Sequence, residues 1–309
     1  MPLPTPLRGV VPPVLTPLTP HGDVDVLSLR RLVEHLIVAG VHGVFLLGSS
    51  GEAVHLTDAQ RRTVLETGVD AVAGRVPVLA GVIDTTTPRV LERAADAVRA
   101  GADALVATAP FYMRTHPAEI ADHFRRIRSG ADLPLFAYDI PVSVHAKLPR
   151  EVVLGLAAEG TLAGLKDSSG DEGSLRRLLL GLRERVPAFT VLTGSELTVD
   201  GALLAGAHGV VPGLGNVDAR GYVRLHEAAL AGDWDTARAE QDRLASLFAL
   251  TEVGDPGVMG AGSSALGAFK AAARLLGLID CAATAAPQVP LDGAAVSRVA
   301  ARLGEAGLL

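Results

Sequence analysis

The sequence predicts an α/β fold of the (β/α)8 TIM-barrel kind: eight parallel strands alternate with helices and close into a ring, and a small helical appendix follows at the C-terminal end. Three observations predict it. Eight short apolar runs recur before residue 213. Segments with helical spacing separate them. Most successive run ends lie about 27 to 34 residues apart, the length of one strand-loop-helix-loop unit. Such regular alternation favours a closed parallel barrel, although a doubly wound open sheet shares it.

The strands are expected at residues 10–15, 43–47, 77–83, 104–108, 134–138, 162–166, 189–193 and 209–212. Helical spacing is clear over 28–39, 58–73, 88–100 and 118–129. Three helices end in the same way before the next strand, in Ala39-Gly40-Val41-His42-Gly43, Ala100-Gly101-Ala102-Asp103-Ala104 and Ala205-Gly206-Ala207-His208-Gly209. Glycine after the last helical turn can adopt the left-handed conformation that stops a helix. From Asp218 onward only helical patterns remain, at 218–231, 233–250, 261–276 and 292–303. That is more helix than closing a barrel requires. Residues 1–231 are therefore expected to form the barrel with the active site, and 232–309 a C-terminal helical region.

Hydrophobic residues make up 49% of the chain but aromatics only 4%, so the core must be built from Ala, Val and Leu. The formal net charge is −6 and no basic run appears, which argues against a nucleic-acid partner. Cys281 is the single cysteine, so no intramolecular disulfide is possible, and a reducing cytoplasm is the expected location. The segment Met1–Arg8 lacks the pattern of a secretion leader, and no apolar run is long enough for a bilayer. The nine histidines show no HxH or HExxH spacing, so a metal site is not expected, and the lysine chemistry set out below requires no cofactor.

Only three of the 28 basic residues are lysines, at 147, 166 and 270. Lys166 ends the apolar run Leu162-Ala163-Gly164-Leu165-Lys166. Arginine stays protonated, whereas a partly buried lysine amine can lose its proton and attack a carbonyl to form a Schiff base. A lysine with its stem along the core edge and its head in water is the bland alternative. Other unusual features also sit at strand ends, where a barrel keeps its chemistry. The second strand runs into Gly48-Ser49-Ser50-Gly51-Glu52, whose small residues let backbone N–H groups approach an anion. Serine-glycine turns also merely reverse chains. Of the three tyrosines, Tyr112 and Tyr138 directly follow strands, and Tyr222 does not. A tyrosine there can simply pack, but beside a Schiff-base lysine a phenol can shuttle protons.

Taken together, Pro12 to Pro17, the Gly48–Glu52 loop, Tyr138-Asp139-Ile140-Pro141, Gly164-Leu165-Lys166-Asp167-Ser168-Ser169-Gly170, Thr193-Gly194-Ser195-Glu196 and Gly206 to Val210 resemble the dihydrodipicolinate synthase and N-acetylneuraminate lyase family over nearly the whole chain. These are barrel enzymes that form a Schiff base with pyruvate or another 2-oxo acid. The resemblance implies Lys166 as nucleophile, Tyr138 as the neighbouring acid/base group and Ser49 in the proton relay. Ser50, Gly48 and the loop amides would hold the 2-oxo acid carboxylate. Tyr112 would reach a neighbouring subunit's site, implying a homo-oligomer, at least a dimer and commonly a tetramer. Gly194, Glu196 and Val211 would line the substrate region, with Ser143, His145 and His55 as further contacts.

The pattern also departs from the two namesakes. Ser143 stands where the synthases carry an arginine that clamps the carboxylate of aspartate semialdehyde. Leu197 stands where the lyases carry an acidic residue that meets the sugar chain. Asp139 and His145 stand where asparagine and glycine are frequent. The expected activity is aldol cleavage, condensation or dehydration of a 2-oxo acid, with an aldehyde or sugar acid as the second partner. 4-Hydroxy-tetrahydrodipicolinate synthase activity and a non-catalytic 2-oxo acid binding protein are the alternatives. A dinucleotide-binding fold has only the glycine-rich loop in its favour, and that loop lacks GxGxxG spacing.

Overall fold

The computed structural model describes residues 3–309, and in it the alternation closes on itself. The strands are β1 (Gly9–Val10), β2 (Val44–Leu46), β3 (Val78–Gly81), β4 (Ala104–Thr108), β5 (Leu135–Asp139), β6 (Gly164–Asp167), β7 (Thr190–Thr193) and β8 (Gly209–Val210). The helices are α1 (Val26–Val38), α2 (Asp58–Val72), α3 (Thr87–Ala100), α4 (Pro117–Gly130), α5 (Pro141–Val144), α6 (Arg150–Ala158), α7 (Glu172–Arg185), α8 (Val199–Ala205), α9 (Ala219–Ala231), α10 (Trp234–Phe248), α11 (Ala261–Leu275) and α12 (Gly293–Glu305). All strand pairs are parallel, in the order β1-β8-β7-β6-β5-β4-β3-β2. A parallel bridge between Pro13 and Phe45 joins the two ends. There Val14 N–H donates to Phe45 O and Phe45 N–H to Pro12 O, each at 2.9 Å. The open doubly wound sheet is thereby excluded.

The first strand is shorter than its apolar run suggests. Pro12 and Pro13 have no N–H to give to a ladder, so regular pairing stops at Val10 and resumes as the isolated bridge. Gly40, Gly101 and Gly206, the expected helix terminators, have φ values of 89°, 86° and 107°. At the other helix ends, Asp25, Asp171, Asp218, Asp233 and Asp292 accept N–H groups of the first turn, and Thr57 with Gln60 forms a reciprocal capping box.

Two apolar layers hold the ring. The outer layer lies between strands and helices and is built almost entirely of Leu, Val, Ala and Ile. The inner one fills the barrel and includes Val11, Phe45, Leu79, Val106, Phe136, Tyr138 and Leu192. Gly164 is required here, because a Cβ at that position would run into the Phe136 ring. Helix α9 packs against β1 and completes the outer ring. Beyond it, α10 packs on α9, and α11 packs on α12 and the turn at 249–252. Among the described residues, no helix is long and apolar enough to cross a membrane.

Candidate active site

Strand register brings the candidate residues together. Thr108 pairs with Tyr138, Tyr138 with Lys166, and Lys166 with Leu192, so the four occupy one row across β4 to β7. Phe136 and Gly164 form the row two residues below. The period of two along a strand then turns both Lys166 and Tyr138 into the barrel, above the Phe136 ring.

Lys166 is 6% exposed and Tyr138 3%. The amine nitrogen lies 4.0 Å from the centre of the Tyr138 ring and 5.2 Å from that of Phe45. The other two lysines are taken up by carboxylates, Lys147 by Asp139 and Lys270 by Glu52. Among the described residues Lys166 alone of the three has no carboxylate in ion-pair range. The Tyr138 hydroxyl is 3.4 Å from Ser49 Oγ. Burial alone would push the phenol up, but the Lys166 charge and hydrogen bonds with Ser49, Lys166 and Ser168 bring it below its ordinary value.

The Gly48–Glu52 loop needs its small residues. A Cβ on Gly48 would stand 2.8 Å from the Phe45 ring, and one on Gly51 would stand 3.0 Å from Val14 O. Thr16, fully buried, donates to Gly51 O at 2.8 Å. Glu52 and Ala53 turn their N–H groups back onto the carbonyls of Ser49 and Gly48. That leaves the N–H groups of Ser49 and Ser50 without an acceptor among the described residues. Glu52 itself closes the loop at φ 56°.

Gly194 follows β7, and a Cβ there would collide with the Ser168 hydroxyl and come within 3.2 Å of Lys166 Cε. Ser168 therefore stands beside the lysine stem, and its role is invisible in the linear sequence. Val211 is buried and donates its N–H to Thr193 O at 2.8 Å. Glu196 lies near Ser50, since a Cβ on Gly213 would meet both side chains at 3.1 and 3.2 Å. Its carboxylate is fully engaged by Gly213 N–H at 2.9 Å, Leu214 N–H at 2.9 Å and the Tyr222 hydroxyl at 2.8 Å. Burial raises the affinity of Glu196 for a proton, against the pull of those three donors and of Lys166. Tyr222, the tyrosine outside the strand ends, is thus the clamp on Glu196.

A cleft of about 440 Å³ opens outward from Ser49. Ser143 and His55 line it together with Thr108, Phe111, Val144 and, from the far end of the chain, Gly260, Ser263, Leu266 and Gln288. His145 does not line it; exposed at φ 56°, it caps the short helix α5. Tyr112 also lies outside this lining, 89% exposed and held at φ 80°. Asp139 is buried; it binds Lys147 and accepts Leu148 N–H at 3.1 Å, so it anchors the return of the chain after α5. Among the described residues no group of three or more His, Cys, Asp and Glu side chains is placed to hold a metal ion.

A model of the Dihydrodipicolinate synthetase family matches residues 6–305. The chain belongs to that family. Its members are pyruvate-dependent Schiff-base lyases of class I type, and the protein is an enzyme of that kind. A 4-hydroxy-tetrahydrodipicolinate synthase of Phenylobacterium zucineum is 32% identical over 305 residues, 98% of each chain. Among solved structures, dihydrodipicolinate synthase from Bacteroides thetaiotaomicron superposes with a TM-score of 0.92 at 31% identity, covering 98% of this chain and 99% of that one. YagE, a prophage protein of the same family from E. coli K12 solved in complex with pyruvate, gives a TM-score of 0.91 at 28% identity with the same coverage.

Proposed function

We propose that the protein cleaves or forms a carbon–carbon bond next to a pyruvate unit, with Lys166 as the Schiff-base nucleophile. The observation that carries this reading is the row Thr108–Tyr138–Lys166, in which a buried amine stands 4.0 Å from a phenol ring whose hydroxyl reaches Ser49. The free amine adds to the C2 carbonyl of the 2-oxo acid. Loss of water, with Tyr138 and Ser49 carrying protons, gives the imine. In the cleavage direction the bond between C3 and C4 breaks, the electron pair moves into the imine to form an enamine, and the C4 hydroxyl proton leaves through Tyr138 as the aldehyde forms. Protonation at C3 and hydrolysis release pyruvate and free Lys166. Condensation is the reverse.

The N–H groups of Ser49 and Ser50 are suited to the substrate carboxylate, with the Ser50 hydroxyl beside them. Ser168 and Gly194 leave room for the lysine stem, while Glu196 holds Gly213 and Leu214 in place next to Ser50. Tyr112, exposed and strained, is suited to completing the site of a second copy in a homo-oligomer.

A second reading, condensation of pyruvate with aspartate semialdehyde, is favoured by the 32% identity to the Phenylobacterium zucineum synthase. Against it stands Ser143 in the cleft wall, where the guanidinium that would grip the second carboxylate is missing. Borohydride reduction in the presence of pyruvate tests the shared core of both readings. A covalent adduct on the Lys166 peptide is expected by mass spectrometry, and its absence across a panel of 2-oxo acids would overturn them.

A further inference from the structure

We propose that His42 is a proton-sensitive clasp on the strand that closes the barrel: the neutral ring holds β1 to the chain entering β2, and protonation in mild acid releases it. The clasp lies at the base of the barrel and is independent of the chemistry at Lys166. Gly9 and Val11 give their N–H groups to the β8 side, to His208 O at 3.0 Å and Val210 O at 2.9 Å. The N–H of Val10, between them, turns the other way, towards β2. There β2 has not yet begun, and the acceptor is His42 Nδ1 at 3.2 Å. His42 N–H in turn donates to Val10 O at 2.8 Å. Val10 is fully buried, and a buried donor left unpaired is costly, so the ring satisfies a group that water cannot. A Cβ on Gly9 would lie 2.2 Å from that ring, so glycine makes the room for it, at φ 101°.

The same two-way bond recurs at the other two helix ends that share this sequence pattern. Asp103 N–H donates to Val78 O at 2.9 Å, and Asp103 Oδ2 accepts Val78 N–H at 2.8 Å. His208 N–H donates to Val191 O at 2.7 Å, and its Nδ1 accepts Val191 N–H at 3.0 Å. The copies differ in what a proton does to them. Imidazole accepts at Nδ1 only while neutral, and free carboxylates titrate about two to three pH units below it. They differ also in what else joins the strands. β3 with β4 and β7 with β8 pair as ladders, whereas β1 and β2 share only the Pro13–Phe45 bridge beyond the clasp.

His42 is half-buried, within reach of solvent protons. From α9 it faces Glu227 and the His226 ring, edge-on at 5.0 Å between centres, and Arg8 and the His208 backbone bear on His226. Glu227 favours the charged ring, but burial outweighs it, and His42 holds its proton less tightly than free histidine. The clasp is therefore closed above about pH 6.5 and opens as pH falls below that. The strand it holds leads to Thr16, which donates to Gly51 O at 2.8 Å, so the clasp is the lower anchor of the segment that shapes the loop at the mouth.

Hydrogen exchange resolved to single amides, corrected for the intrinsic effect of pH, tests this on the unaltered protein. Between pH 8 and pH 5, protection at Val10 should fall about tenfold more than at Val78, whose acceptor is the carboxylate copy. His42→Asp should reproduce the Asp103 arrangement and keep Val10 protected at pH 5. His42→Ala should leave Val10 weakly protected at both pH values. Equal loss at Val10 and Val78 in the unaltered protein would overturn the proposal, whether or not the variants fold. So would a His42→Asp protein as acid-labile at Val10 as the native one, or a His42→Ala protein with Val10 fully protected at pH 8.

Discussion

The Lys270 ammonium and the Glu52 carboxylate form an ion pair that is wholly sealed from solvent. Lys270 also donates to Ala283 O at 2.7 Å, and Glu52 accepts Ala285 N–H at 2.6 Å. Burial makes the Lys270 proton easier to lose, and the Glu52 charge opposes that loss. The pair ties the Gly48–Glu52 loop at the barrel mouth to helix α11 and the chain after it. Removing one member of a buried pair leaves a charge with no partner, at a cost of about 3–5 kcal/mol. Lys270→Met should therefore destabilise by that order in urea denaturation. The double substitution Lys270→Met with Glu52→Gln should recover part of the loss, because glutamine keeps the Ala285 bond and carries no charge. A double variant no better than the single one would show that the strain lies elsewhere.

Tyr138→Phe keeps the ring over Lys166 and removes the hydroxyl that meets Ser49. Turnover should drop about 10²–10⁴-fold, with KM for pyruvate changed far less. Because the phenol titrates below its ordinary value, the alkaline limb of the kcat/KM profile should lie below pH 10 in the native enzyme. That limb should be absent in Tyr138→Phe. An unchanged profile would remove Tyr138 from the proton path.

Five histidines, at 35, 42, 123, 208 and 226, hold their protons less tightly than free histidine, chiefly because burial disfavours the charged ring. His123 and His226 are displaced furthest, from 6.5 to about 4, and the charge of nearby His42 adds to the effect at His226. For a base with a depressed folded-state pKa, the unfolded chain takes up protons first. The stabilisation is therefore complete above about pH 6.5 and is lost as pH falls from there through about 4. Unfolding at pH 5 should absorb about two protons at these two positions alone. Denaturation midpoints should fall steadily over that range, and His226→Phe should make the decline shallower.

Tyr112 and Met113 are both exposed, and the Tyr112 backbone sits where side chains other than glycine are strained. If a second copy receives this tyrosine, specific activity should fall on dilution below the dimer dissociation constant. Tyr112→Ala should weaken association in analytical ultracentrifugation and lower turnover together. Full activity in a strictly monomeric sample would sink the intersubunit role.

Legibility in the sequence followed local chemistry. The run Ala104–Thr108 coincides with β4 because every residue in it is buried and nothing breaks the ladder. The run at 10–15 predicts too long a strand because two prolines inside it cannot donate. Lys166, Tyr138 and Ser49 stand out because lysine and tyrosine are scarce here and all three sit at strand ends. Thr108 and Ser168 do not stand out, since a threonine ending a strand and a serine after a lysine are ordinary. Their meaning comes from register across β4 to β6 and from the collision that keeps residue 194 a glycine. Gln288 and Ser263 were out of reach of any local pattern, because only tertiary packing carries them to a cleft that begins at Ser49. Glu196 illustrates the opposite case: a residue found by motif whose carboxylate is engaged by the scaffold, through Tyr222 and two backbone amides.

The bridge from Pro13 to Phe45 has a consequence for inactivation. It is an isolated one-residue bridge flanked by backbone hydrogen bonds from His42, Phe45 and Val14, whereas the other seven neighbouring strand pairs are ladders of two to four residues. The ring of the same Phe45 lies 5.2 Å from the Lys166 amine and edge-on to Tyr138. If warming parts this seam first, activity should fail at a lower temperature than helical structure melts, and a cross-link across the seam should protect turnover more than it raises Tm; loss of both at one temperature would count against it.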